Sequence, residues 1–243
     1  QSRVEADAMA EMEERACESL LEHATDELRR QLMRRPVRGH TIALIDTVGP
    51  KSVSVVFVAP SGRVLGCEEL PCSVHPEIVS QNVVKLGEWM HKHRVTLVAL
   101  TNGPARRFMM STLRELMQQS KSSGLRWTMA DRSGAEAYAG GKIGLRELST
   151  YNRRQRAAIW TARCLQDPLV ELLKVDSSRL RLGSYQRELP QDAVKHQIQE
   201  TLSACVCARG IDTQNASEFE LQFIPGVRAE HAKQIVNLAR SGC

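Results

Sequence analysis

Short runs of apolar and β-branched residues, separated by glycine and proline, dominate residues 41–70. The first run, 41–45, stops at Asp46, and a polar turn containing Gly49-Pro50 follows it. Two further runs, 52–59 and 63–67, come directly after that turn. Runs of this length between turn residues predict three consecutive strands that form a meander.

The pattern then changes to helices that alternate with strands. A helix is predicted over 77–93, and the continuous apolar run 95–100 predicts a strand that is covered on both faces. A second helix is expected to end at about residue 120, before a strand over 125–130. Together these elements predict a mixed α/β sheet with helices on its faces. Ahead of the sheet, residues 4–33 predict one amphipathic helix with apolar positions at Met9, Met12, Cys17, Leu20, Leu21, Leu28 and Leu32.

The last part of the chain is predicted to be all-helical. Helices are expected over 151–174, with a break at Asp167-Pro168, and over 190–209. Residues 216–240 predict a helix-hairpin-helix whose turn is Ile224-Pro225-Gly226-Val227. Glycine allows the tight turn, so that amide groups at the start of the second helix can bind phosphate without reading base sequence. The candidate phosphate-binding residues are Gly226, Val227, Arg228 and Lys233; the alternative is a helical hairpin used only for packing.

Arginines cluster between Leu148 and Asp167, a stretch that contains no acid. Helical spacing places several of them on one face together with Trp160. We therefore predict a patch for the phosphate backbone made by Arg153, Arg154, Arg156 and Arg163. The alternatives are a solvated basic face and ion pairs with Glu115 or Glu147.

Composition narrows the function classes without deciding between them. The chain has 243 residues, 42% hydrophobic residues and a formal net charge of +5, which permits a polyanionic partner. Aromatic residues are scarce at 4%, so base stacking on aromatic platforms is not the expected binding mode. Seven scattered cysteines match neither a disulfide framework nor a zinc site, and we expect reduced thiols of an intracellular protein. No signal peptide and no membrane-spanning run is expected.

Five sequence motifs follow one another along the chain. They are residues 98–103 with Asp46 before them, Gly134-Ala135-x-x-Tyr138, the stretch ARxLQDPLxELxK from Ala162 to Lys174, Gly183-x-Tyr185-Gln186, and the hairpin. Their order and spacing resemble the Tex family of bacterial transcription accessory proteins. The resemblance implies a YqgF/RuvC-like ribonuclease H fold, helices that lead to a helix-hairpin-helix, and nucleic-acid binding in transcription.

The resemblance also implies a cluster of acids that holds divalent metal for phosphodiester chemistry. The first acid corresponds to Asp46, which could instead cap a turn. Arg132 stands in the place of the second acid, with Asp131 one residue earlier, and a shift of one residue turns a side chain to the opposite side. The third acid corresponds to Asp167, which is also a good N-cap for a helix opening at Pro168. We therefore expect vestigial acids, no enzymatic activity, no resident metal and no cofactor, with Mg²⁺ relevant only if the acid site is active.

These inferences predict four parts: an N-terminal amphipathic helix (1–38), a YqgF/ribonuclease H-like domain (39–149), linking helices (150–189) and a helix-hairpin-helix region (190–243). Compared with the family's pattern, the chain is expected to be truncated, because there is room for one hairpin and no S1 barrel follows. The predicted function is a non-catalytic scaffold for RNA or DNA, sequence-independent, acting in transcription or in a ribonucleoprotein complex.

Two alternatives stay open. The chain could be a structural or assembly subunit of a large particle, such as an organellar ribosome precursor, that uses the fold for protein contacts. It could also be a metal-dependent nuclease or Holliday junction resolvase. Protein subunits of a larger complex are expected partners and a membrane is not. The expected location is the mitochondrial matrix or the cytoplasm and nucleoid.

Overall fold

A computed structural model of the chain describes residues 2–119, 124–213 and 216–241. Contacts group the chain into two compact units. The sheet unit comprises Arg35–Val175, and the helical unit comprises the residues up to Arg34 together with those from Asp176 onwards. The predicted linking segment 150–189 is thus divided after Val175, and the division into four domains stays a prediction.

The sheet unit is built on a five-stranded mixed sheet with the strand order β3-β2-β1-β4-β5. The strands are β1 (Ile42–Asp46), β2 (Ser52–Val58), β3 (Val64–Pro71), β4 (Leu97–Thr101) and β5 (Arg126–Ala130). Strand β2 is antiparallel to β1 and β3, whereas β4 is parallel to both β1 and β5. The carboxyl ends of β1, β4 and β5 therefore meet at one edge. This arrangement with its flanking helices is a ribonuclease H-like fold, as predicted.

Helices cover both faces of this sheet. After α1 (Ser2–Leu32) of the helical unit, the sheet unit contains α2 (Pro76–His93), α3 (Arg106–Gln119), α4 (Ala135–Gly140), α5 (Lys142–Glu147), α6 (Arg153–Gln166) and α7 (Pro168–Leu173). Apolar residues of α2 and α3 pack on the face that carries Ala43, Ile45, Val98 and Leu100. Since strand side chains alternate, Leu44 points to the other face, where α6 contacts β1 and β2. Strand β1 is buried along its whole length because both faces are covered.

The long first helix corrects one expectation of the sequence. Of its predicted apolar positions only Leu28 and Leu32, in the second half, are buried, together with Ala24. Met9 and Met12 are 58% and 66% exposed. The second half is buried because it packs against α8 (Gln191–Arg209).

The hairpin region closes the helical unit. Its helices are α9 (Glu218–Leu221), which is a single turn, and α10 (Ala229–Ser241). Leu221, Ala232 and Val236 form a small apolar core between them. Before α8, two short 3-10 turns span Ser177–Arg179 and Ser184–Arg187.

Two expectations about composition can be compared with the structure. None of the six cysteines in the described part of the chain forms a disulfide, and Cys243 lies outside the described residues. Within the described ranges, no helix is long and apolar enough to cross a membrane.

Candidate functional site

Asp46 is the last residue of β1, at the edge where the parallel strands end. Its carboxylate is 2% exposed and accepts a hydrogen bond at Oδ1 from the hydroxyl group of Thr101, at 2.9 Å. Thr101 ends the neighbouring strand β4, and its hydroxyl oxygen also accepts the amide of Thr47 at 2.9 Å. The two parallel strands therefore fix the first candidate acid through a buried hydroxyl group.

Arg132 occupies the space in front of this carboxylate. Its Nε donates to Oδ1 and Oδ2 of Asp46 at 3.0 and 3.1 Å, and its Nη2 donates to Glu136 at 2.7 Å. Burial lowers the pKa of Arg132, but the carboxylates of Asp46 and Glu136 outweigh burial and leave that pKa raised. The hydrogen bond from Arg132 outweighs burial at Glu136 and lowers its pKa, and Arg153 adds to this effect. The guanidinium is thus a fixed positive charge at the end of β1.

The other two candidate acids are used elsewhere. Asp131 follows β5, and its Oδ1 accepts the amide of Ser133 at 2.9 Å in a local turn. Asp167 caps α7 by accepting the amide of Val170 at 3.3 Å, and its Oδ2 lies 3.7 Å from a guanidinium nitrogen of Arg38. Both side chains thus serve as local caps of the backbone.

The donor set does not fit a divalent metal. Such a cation takes several carboxylate or carbonyl oxygens at once. Both oxygens of Asp46 face a guanidinium, and the part of the chain that the structure describes contains no group of three or more His, Cys, Asp or Glu side chains that could hold a metal ion.

The arginine cluster has partners inside the sheet unit. Arg154 donates to the carbonyl oxygen of Ser52 at 3.0 Å, and Arg156 donates to those of Ala139 and Tyr151 at 2.9 and 2.6 Å. Trp160, expected among the arginines on an open face, is 0% exposed, because α6 packs between the sheet and α4.

The remaining two arginines of the cluster form ion pairs. Arg163 donates to the carbonyl oxygen of Gly62 at 2.9 Å and pairs with Glu147 at 3.4 Å, one of the two acids that the sequence had offered as alternatives. Arg153 is exposed and donates to Glu136 at 3.1 Å. Several of the donors that this patch would offer to phosphates are therefore engaged, and its contact with nucleic acid stays a prediction.

Glu171 and Lys174 of the ARxLQDPLxELxK motif form an ionic cluster with Glu147 and Tyr138 that sequence reasoning missed. Lys174 lies 3.2 Å from Glu147 and 3.0 Å from Glu171. Tyr138 donates its hydroxyl hydrogen to Glu147 at 2.8 Å and stacks on Trp160 with ring centroids 5.5 Å apart. Burial, and after it the charge of Glu147, raises the pKa of Tyr138, and burial raises the pKa of Glu171 against the opposing charge of Lys174. The motif therefore joins α4, α5 and α7 and packs them on α6.

The predicted hairpin turn is formed in the helical unit. Gly226 has φ of +84°, and the amide of Val227 donates to the carbonyl oxygen of Ile224 at 3.0 Å. Arg228 and Lys233 are exposed. The turn is therefore built as the sequence predicts, and phosphate binding by it stays a prediction.

Glu220 is an acid of the hairpin, where a negative charge would repel phosphate, and its side chain caps the first helix of that hairpin. Glu220 accepts the amide of Ser217 at 2.9 Å in the capping box of α9, and it is 7% exposed.

Comparison with known protein families identifies the family of this chain. Residues 40–166, just over half of the chain, match the model of the Tex protein YqgF-like domain. The chain belongs to the Tex family. The match includes Asp46, Arg132 and the arginine cluster, so the Arg132–Asp46 pair lies inside the YqgF-like domain.

Relatives extend this similarity beyond the matched domain. The chain is 27% identical over 233 residues to the transcriptional accessory protein Tex of Neisseria gonorrhoeae, covering 96% of this chain and 30% of that protein. It is 24% identical over 240 residues to the uncharacterized protein YdcI of Bacillus subtilis, covering 97% of this chain and 33% of the relative. The S1 RNA-binding domain-containing protein 1 of Homo sapiens is 25% identical over 211 residues, which are 86% of this chain and 21% of that protein. The chain thus spans a third or less of the length of these relatives.

A solved structure of Thermus thermophilus RuvC, in complex with a Holliday junction substrate, is similar at a TM-score of 0.38 and 15% identity, covering 54% of this chain and 92% of RuvC.

Proposed function

We propose that this Tex-family chain is a non-catalytic, nucleic-acid-binding scaffold that acts in transcription or within a ribonucleoprotein complex. The observation that carries the non-catalytic part is the pairing of Arg132 Nε with both oxygens of Asp46. A guanidinium in that position neutralises the carboxylate and occupies the space that a catalytic cation needs. A single buried acid with an arginine against it is a structural pair that ties the end of β1 to the loop after β5.

The nucleic-acid part of the proposal has three supports. The relatives include a transcriptional accessory protein and a protein named for an S1 RNA-binding domain. The formal net charge of +5 favours a polyanion. The hairpin turn at Gly226 has the positive φ that lets the amides at the start of α10 approach a phosphate.

A cleavage assay tests the non-catalytic part. The chain is incubated with branched and single-stranded substrates in the presence of Mg²⁺ or Mn²⁺, next to the Asp46→Asn variant. We expect no turnover by either protein. Cleavage that persists in Asp46→Asn would identify a contaminating nuclease, whereas cleavage by the wild type that disappears in Asp46→Asn would overturn the proposal in favour of a nuclease.

A second candidate function, a protein-binding subunit of a larger complex, is favoured by one specific surface. Trp127 and Met129 of the edge strand β5 are 44% and 39% exposed. Trp127 lines an apolar groove of about 660 Å³ with Met110, Leu113 and Met117 of α3. An exposed apolar face of this kind marks a protein interaction site. Its test is whether Trp127→Gln releases a copurifying protein without altering the affinity for nucleic acid.

A further inference from the structure

The loop that precedes α8 combines buried leucines with exposed arginines. Leu180 and Leu182 are 2% and 3% exposed, whereas Arg179, Arg181 and Arg187 are exposed. Leu180 has extended backbone angles, and the arginines on either side of it in sequence are both exposed. The buried leucines therefore anchor the segment and turn its basic side chains outwards.

Two glutamine side chains fix the shape of this loop. The side-chain amide of Gln186 donates to the carbonyl oxygen of Ser178 at 2.8 Å and accepts the amide of Leu182 at 3.3 Å. From α1, Gln31 donates to the carbonyl oxygen of Arg181 at 3.0 Å. The loop is thus held at both ends and in the middle, and its arginines start from fixed backbone positions. This preorganisation reduces the entropy lost when a ligand binds.

The same loop encloses a groove of about 900 Å³. Its lining includes Arg179, Arg181, Arg187 and one acid, Glu27. The carboxylate of Glu27 already has two partners: Gln31 donates a hydrogen bond to it at 2.8 Å, and Arg30 forms an ion pair with it. Asp176, next to the groove, faces Arg179 at 4.0 Å with both side chains mostly exposed, which is a weak pair. The groove is therefore net positive.

We propose that this groove, formed by the loop 177–189 with α1 and the start of α8, binds the phosphate backbone of a single-stranded nucleic acid. The inference rests on the proposed binding of nucleic acid and names the surface that performs it. A guanidinium group can donate two hydrogen bonds to one phosphate group. Such a contact does not depend on the base sequence, which agrees with the sequence-independent binding proposed above. The arginines of α6 donate to carbonyl oxygens and carboxylates of their own unit.

The test compares two triple variants of the full chain. Arg179→Gln, Arg181→Gln and Arg187→Gln together remove the groove's positive charge. Arg106→Gln, Arg107→Gln and Arg114→Gln together remove the same charge from exposed positions of α3. Binding of a fluorescein-labelled oligouridylate, and of the matching oligothymidylate, is measured by anisotropy over a series of salt concentrations. Thermal unfolding checks that both variants fold.

We expect the groove variant to bind more weakly, with a slope of log affinity against log salt that is flatter by about 2, at roughly 0.7 for each lost contact. The α3 variant should keep the wild-type slope. An equal loss of affinity in the two variants would show a general effect of charge and would contradict the proposed role of the groove. Wild-type binding that is unchanged in the groove variant would overturn the groove and leave the proposed function standing, whereas a wild type that binds neither oligonucleotide would overturn both. Similar affinities for the two oligonucleotides support backbone recognition, and binding of only one of them would contradict it.

Discussion

Nε of Arg132 lies 3.0 and 3.1 Å from the two carboxylate oxygens of Asp46, so one guanidinium faces the whole acid group. Asp46 is held from the other side by Thr101, and the side chain of Arg132 is 15% exposed. A buried carboxylate is costly unless it is paired and hydrogen-bonded. The strand end at Asp46 therefore depends on Arg132.

Replacing Arg132 by Gln should destabilise the chain strongly. The substitution leaves Asp46 buried without its counter-charge, and breaking a buried pair from one side costs about 3–5 kcal/mol. The matched control is Arg153→Gln, which removes an arginine from an exposed pair with Glu136 and should cost less than about 1 kcal/mol. Urea unfolding of the wild type and both variants measures the difference.

A double variant separates this pairing from other effects of residue 132. Asp46→Asn combined with Arg132→Gln should be more stable than the sum of the single changes predicts, because neither residue is then left charged and unpaired. Additive losses would show that the two side chains do not stabilise each other.

The strands of the sheet could be predicted from the sequence because their signals are local. Runs rich in valine and isoleucine, between turns with glycine and proline, mark β1 to β3, and a continuous apolar run marks β4. Helices α4 and α5 could not be predicted, since each has six residues and is too short to show helical periodicity. The resemblance to the Tex family placed Arg132 at the position of an acid, but it did not show that the side chain contacts Asp46.

The role of the arginine cluster could not be predicted for a physical reason. Arg154 and Arg163 donate to the carbonyl oxygens of Ser52 and Gly62, which lie 102 and 101 residues away along the chain. Every residue carries such an acceptor, so no residue type in the sequence marks the partner. The spacing of arginines on a helix predicts which side they share and not what they contact.

Glu171 should make stability depend on pH. Burial raises its pKa above the ordinary value of 4.5, so the folded chain holds a proton on this group where the unfolded chain has lost it. The contribution of Glu171 to stability therefore falls as pH rises above 4.5 towards the raised pKa. In Glu171→Gln this part of the pH dependence should vanish, and the variant should gain stability over the wild type as the pH is raised. Unfolding measured across that range checks it; parallel curves for the two proteins would contradict the expectation.

Gly226 should be sensitive to substitution because of its backbone alone. Its φ is +84°, and an added Cβ would meet no atom within 4 Å. Gly226→Val should therefore cost about 1–2 kcal/mol from backbone strain, while Gly226→Asn should cost less because asparagine tolerates this region. Gly210, at φ +74° and ψ 158° with equally open space, gives a control outside the hairpin, and valine is strained there too.

If the hairpin contacts phosphate, Gly226→Val weakens binding to the oligouridylate and Gly210→Val does not, although both lower the thermal stability. Equal binding by the two variants would assign the hairpin to packing.

The combined substitution of Arg153, Arg156 and Arg163 by Gln distinguishes a phosphate patch from a structural cluster. Glutamine keeps helix propensity, so any loss of stability comes from the lost contacts. Arg156 holds two carbonyl oxygens and Arg163 holds one carbonyl oxygen and Glu147, and hydrogen bonds that involve a charged group are each worth about 1.5–3 kcal/mol. We therefore expect a large fall in the free energy of unfolding with an unchanged salt slope for oligouridylate binding, measured under conditions where the variant is folded. The single change Arg153→Gln, which removes the exposed member, should leave both quantities nearly unchanged. If the slope of log affinity against log salt is instead flatter by roughly 0.7 for each lost contact, the arginines of α6 contact phosphate.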